Sequence, residues 1–147
     1  MMKIAFIHYH LKTGGVTTVL KQQLVAIPKK WQALVLTGIP PETPLPADFV
    51  HIPELGYSSH YKNPINPDDA AESIINAICD KFNCLCDVLH VHNSTLATNK
   101  HYLGILRFNI NTLNKKHKIK QCLNINTLHG NNKRSPKVHQ DLRLPRL

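Results

Sequence analysis

The sequence predicts an α/β protein: an open, all-parallel sheet with strands in the order 3-2-1-4-5 and helices on both faces. Three observations predict it. A short apolar run, Lys3 to His8, leads through Thr13-Gly14-Gly15 into a helix-like stretch, Val16 to Val25. A second apolar run, Trp31 to Thr37, has the near-continuous character of a strand covered on both faces, and Asp87 to Asn93 reads as the fourth strand. Helical periodicity alternates with these strands, which is the arrangement that parallel strands require for their crossovers.

Taken in order, the first helix places Val16, Val19, Leu20 and Leu24 on one face, with Thr13 as a capping candidate and Pro28 closing the region. Gly38 ends the second strand. Pro40, Pro41, Pro44 and Pro46 make the following stretch an irregular loop, and Phe49 to Ile52 forms a short third strand stopped by Pro53. Asn66-Pro67-Asp68-Asp69 reads as a helix start, with Asn66 as N-cap, proline at the first helical position and acids in the first turn. That helix runs to about Phe82, with Ala71, Ile74, Ile75, Ile78 and Phe82 on its apolar face. After the fourth strand, Ser94 or Thr95 can cap a long helix from Leu96 to about Lys116, and Gln121 to Leu128 is a fifth strand. From His129 the periodic apolar pattern stops, so the expected organisation is a Rossmann-like domain over 1–128, incomplete for its class, and an irregular basic tail over 129–147.

In that topology Gly14-Gly15 and His92-Asn93 meet at the carboxyl edge of the sheet. The edge lies at the switch point between strands one and four, where a helix N-terminus can present N–H groups to a phosphate or polar ligand. Gly14-Gly15 is neither GxGxxG nor a P-loop, because no Gly-Lys-Ser/Thr follows. Dinucleotide enzymes and P-loop NTPases are thereby disfavoured, and the glycines also suit a tight turn with positive φ. His8, His10, His90 and His92 form two His-x-His pairs, each on one side of its strand. Only Asp87 accompanies them, at the far end of its strand, so hydrogen bonding to a hydroxylated ligand is favoured over a metal site. Ser94 follows His92-Asn93 without the Gly-x-Ser-x-Gly elbow of a hydrolase, and helix capping accounts for it.

A chain of 147 residues suffices for one core. No apolar stretch approaches the ~20 residues of a membrane span, and Met1-Met2-Lys3 with about five apolar residues after it is no signal peptide. The expectation is a cytoplasmic chain. Cys79, Cys84, Cys86 and Cys122 are then reduced thiols, and Cys84-Leu85-Cys86 has one residue between its cysteines where zinc knuckles have two to four. The net charge of +9 is uneven. Residues 1–114 hold nine Lys/Arg against eight Asp/Glu, whereas residues 115–147 hold nine Lys/Arg against Asp141 alone. Such an end is either solvated or attracted to anionic surfaces, including the inner membrane face. The body lacks the interleaved aromatic and basic residues of a nucleic-acid platform, so nucleic acid is a disfavoured partner.

Three stretches resemble the N-terminal domain of family 4 glycosyltransferases of the GT-B fold. Residues 3–20, KIAFIHYHLKTGGVTTVL, are similar to the family's opening strand, Gly-Gly-Val/Ala loop and helix; residues 87–93, DVLHVHN, are similar to its Asp-Val-Val-His-Val-His-Asn strand. Residues 123–130, LNINTLHG, stand where the family has a strand ending Thr-x-His-Gly. The resemblance implies transfer of a hexose from a nucleotide-sugar donor to a glycan, lipid or protein acceptor, without a metal or other cofactor. It implies that Gly14 and Gly15 line the cleft near the donor phosphates. It places His92 as the catalytic candidate and Asn93 beside the acceptor or transferred sugar, with His129 as a further substrate-binding candidate. A GT-B enzyme has a second, donor-binding domain that these residues do not supply, so the expectation is a truncated or frameshifted reading, inactive alone. The competing expectation is a stand-alone binding module whose basic tail contacts nucleic acid or anionic membrane.

Overall fold

The computed structural model describes residues 1–57, 66–83, 86–92, 104–105 and 121–125. Among the described residues, five strands and two full helices follow one another as β1 (Lys3–His8), α1 (Gly15–Ala26), β2 (Gln32–Thr37), β3 (Asp48–His51), α2 (Pro67–Phe82), β4 (Val88–His92) and β5 (Gln121–Ile125), with a short 3-10 turn at Pro53–Leu55. The sheet is open and wholly parallel, in the order β3-β2-β1-β4-β5. The expected α/β class with a parallel sheet is present.

The central strands are buried because each face has its own cover. Alternation along β1 and β4 sends Ala5, Ile7, Leu89 and Val91 to one side, where Ala70, Ala71, Ile74, Ile78 and Phe82 of α2 pack with Leu34 and Leu36 of β2. Ile4, Phe6, Val35 and Val88 go to the other side, under Leu20 and Leu24 of α1 and Leu11 of the preceding loop. The β3 strand is one edge of the sheet; its residues are exposed apart from half-buried Val50. Cys86 is buried in the α2-side core and Cys79 is half-buried.

The start of α2 follows its sequence signal. Asn66 Oδ1 accepts from the Asp68 N–H at 3.1 Å, Pro67 occupies the first turn, and Asp68 and Asp69 face the positive end of the helix dipole. The start of α1 departs from its signal. Gly14 is the N-cap and offers no side-chain acceptor, while Thr13 turns outward, its N–H and hydroxyl both donating to the Glu42 carboxylate, at 3.0 and 2.9 Å. The buried line of α1 is Thr17, Leu20 and Leu24, and Val16 and Val19 are only half-buried. Thr17 can be buried because its hydroxyl donates to the Lys12 carbonyl at 2.7 Å.

Register is pinned at the amino edge of the sheet. Asp87 accepts from the Lys3 N–H at 2.9 Å, and the Asp87 N–H donates to the Lys3 carbonyl at 2.8 Å. Phe6 is thereby level with His90, and Ile7 with Val91. The long helix expected from Leu96 lies outside the described residues except for 104 and 105. The Ser94/Thr95 cap and the tail over 129–147 lie wholly outside them.

Candidate functional site

Parallel strands end together, so β1 and β4 deliver their last residues to one edge. His8 closes β1 and His92 closes β4, and both belong to the face that α1 covers, along with Phe6 and His90. The rings form a layer. His90 and His92 stack with centroids 4.6 Å apart, His92 stands edge-on to His8 at 6.0 Å, and His8 lies 5.2 Å from His10. The i, i+2 spacing of His90 and His92 puts both on one side of β4, and strand pairing sets them beside His8 at the end of β1, with His10 following in the loop. Tyr57 extends it outward, 5.6 Å from His10 and 6.3 Å from Tyr9.

His8, His90 and His92 are all buried, His92 completely. Burial in a largely apolar layer disfavours the imidazolium. Desolvation takes His8 down to about 3, with help from neighbouring His10 and His92; the His92 backbone works weakly the other way. His92 falls to about 4, through desolvation and then His90. His90 and His10 are lowered too, chiefly by burial. At neutral pH the cluster is therefore uncharged, and each ring offers one donor and one acceptor. His92 Nε2 meets Gln23 Oε1 at 3.0 Å. Both ring nitrogens of His8, Nδ1 of His10, Nε2 of His90 and Nδ1 of His92 have no hydrogen-bond partner among the described residues. Buried polar atoms left this way in a folded protein call for an explanation.

The Gly14 backbone is extended (φ 167°, ψ 173°), so the tight-turn account of this glycine does not hold. A Cβ there would meet only the Lys12 carbonyl oxygen, at 3.9 Å. Neither backbone conformation nor packing requires glycine at 14. What its small size does provide is open space at the uncapped, positive end of α1. Lys12 and His10 precede it, and Glu42 accepts from the neighbouring Thr13. The Thr13 N–H and hydroxyl, then Lys12 and His10, hold the Glu42 carboxyl below its ordinary range.

Gly14 and Gly15 stand at the start of α1, and His92, at the end of β4, meets Gln23 two turns further along that helix; Asn93 and His129 lie outside the described residues. Among the described residues, no group of three or more His, Cys, Asp or Glu side chains is arranged to hold a metal ion. Stacking of His90 on His92 keeps their rings nearly parallel instead of converging on a common point. No helix among the described residues is long and apolar enough to cross a membrane. Sequence reading found the histidines and glycines but missed Gln23 and Glu42. Gln23 lies 69 residues from its histidine and carries no local motif; Glu42 sits in a proline-rich loop whose path the sequence does not dictate. Comparison of the chain with protein-family models, with curated proteins and with solved structures finds no match.

Proposed function

We propose that this chain is the acceptor-side domain of a glycosyltransferase of the GT-B type, with its Rossmann-like topology. In this reading it takes part in transfer of a hexose from a nucleotide-sugar donor to a glycan, lipid or protein acceptor. The observation that carries the reading is the pairing of two features at one sheet edge: a cluster of neutral imidazoles with unpartnered nitrogens, and an uncapped helix N-terminus at Gly14 with space beside it. Neutral imidazoles complement hydroxyl groups, which also both donate and accept. The helix terminus complements a phosphate. A hydroxyl-rich ligand carrying a diphosphate answers both. The resemblance of residues 3–20, 87–93 and 123–130 to family 4 supports the same assignment.

The roles are those that the resemblance implies. Gly14 and Gly15 receive the donor phosphates, His92 is the catalytic candidate and acts toward the acceptor hydroxyl, and Asn93 and His129 contact the sugars. In that fold the cleft has a second, donor-binding wall, and this domain's own contribution is to ligand binding. The test is therefore binding: ligand-observed NMR with UDP-glucose, UDP-N-acetylglucosamine and maltotriose. Gly14→Ala makes it specific, because the structure accommodates that methyl group. Its stability should stay within about 0.5 kcal/mol of the parent, while UDP-sugar binding is lost. A folded parent protein that binds none of the three ligands overturns the reading.

One observation favours a second reading, a binding module for anionic surfaces: the excess of eight positive charges in residues 115–147.

A further inference from the structure

His92 is neutral at physiological pH, so one ring nitrogen carries a proton and the other a lone pair. Which is which decides what the residue can do. The nitrogen with the lone pair can accept a hydroxyl proton; the protonated nitrogen cannot. The choice is made by whatever the ring already bonds.

Two facts bear on it. His92 Nε2 lies 3.0 Å from Gln23 Oε1, and an amide oxygen only accepts, so Nε2 carries the proton. His92 Nδ1 is buried and has no partner among the described residues. Gln23 comes from the third turn of α1, on the helix that covers this sheet face, and is half-buried there. The helix that presents Gly14 at its start thus reaches His92 two turns later.

We infer that Gln23 is a positioning residue, which holds the His92 imidazole in its Nε2–H tautomer and leaves Nδ1 as the lone-pair acceptor of the site. That Nδ1 serves a sugar hydroxyl rests on the glycosyltransferase reading; the tautomer assignment does not. The Phe6 and His90 rings, at 6.4 and 4.6 Å and nearly parallel to His92, restrict the ring's rotation, so the amide sets the proton position within an orientation already fixed by packing.

The experiment is imidazole ¹⁵N NMR on the full chain labelled at histidine, with the His92 signals assigned by their loss in His92→Gln. The parent protein should show one tautomer, protonated at Nε2. Gln23→Met keeps the side-chain length and should lose the single-tautomer signature. Gln23→Glu should restore it, because a carboxylate also accepts from Nε2–H, and should raise the ring's titration point. A parent ring protonated at Nδ1, or a Gln23→Met ring unchanged from the parent, overturns the inference. If Gln23→Met does not fold, the parent spectrum and the Gln23→Glu titration decide it. A maltotriose titration of the same samples separates the two claims. An Nε2–H ring that shifts with maltotriose supports both. An Nε2–H ring indifferent to every sugar leaves the role of Gln23 standing and counts against the sugar reading.

Discussion

Gly38 runs so close to Gly56 that a Cβ built on Gly38 would stand 2.0 Å from the Gly56 nitrogen and 2.4 Å from its Cα. The end of β2 and the turn after β3 are thus packed backbone against backbone. The Gly38 carbonyl also lies 2.9 Å from His51 Nε2, which ties the same two segments together. The obstruction is main chain, with no flexible side chain to swing aside. Gly38→Ala should therefore destabilise the fold by about 3 kcal/mol or more. Urea unfolding of parent and variant measures it, and an unchanged midpoint would contradict the close packing.

Acid should weaken the fold through its buried imidazoles. An unfolded histidine takes up a proton below pH 6.5, whereas His8 and His92 in the folded chain hold off until about 3 and 4. Between those limits the unfolded state binds more protons, so stability falls as pH falls. By pH 4.5 the loss is on the order of 2 kcal/mol each from His8 and His92. Thermal melts at pH 7.5, 6.0 and 4.5 should show a falling midpoint. His8→Leu removes one titrating group and should flatten the curve. A parent midpoint constant across this range would mean that the rings are solvated.

The end of α2 offers a stabilising change. Asn83 is the C-cap, in the left-handed conformation with φ 55°. Asn tolerates this region better than most residues, and glycine better still. Asn83→Gly should be neutral or gain up to about 1 kcal/mol, whereas Asn83→Val should lose at least as much, because a β-branched residue is strained there. Chemical denaturation of the pair checks the ordering, and a Val variant as stable as the Gly variant would refute the strained cap.

These cases show what a single sequence carries. The α2 start was legible because Asn66, Pro67, Asp68 and Asp69 are neighbours and act on one another locally. The histidine cluster was legible because alternation along a strand puts His90 and His92 on one side and parallel pairing puts β1 beside β4. The start of α1 was misread, since Thr13 could cap it but finds a stronger partner in Glu42, which is 29 residues away. Gln23 escaped for the same reason: its partner is set by how α1 lies across the sheet. Local signals were readable, and contacts that depend on helix rotation or loop path were not.

The basic end should be measurable by its salt response. Residues 131–147 contain Lys133, Arg134, Lys137, Arg143 and Arg146 against Asp141. Each Lys or Arg near an anionic membrane surface is worth about 1 kcal/mol at moderate ionic strength. The full chain should sediment with phosphatidylserine-containing vesicles at 50 mM salt and be released at 500 mM. Deletion of 131–147 should remove most of that binding while leaving the melting midpoint of the body unchanged. Vesicle binding equal with and without the segment would move the contact to the folded domain.

Glu42 supplies the sharpest check on the phosphate end of the site. Its carboxylate accepts from the Thr13 N–H and hydroxyl, one residue before the uncapped start of α1. A diphosphate arriving beside Gly14 meets that negative charge at short range. Like charges at short range repel even in water, by enough to lower affinity several-fold. Glu42→Gln keeps the acceptor for Thr13 and removes the charge, so UDP-sugar binding should tighten several-fold at low ionic strength. The gain should shrink with added salt, while the affinity for uncharged maltotriose should not move. UDP-sugar affinity unaltered by Glu42→Gln, in a variant that still binds maltotriose, would place the phosphates away from the α1 terminus and leave only the sugar half of the reading.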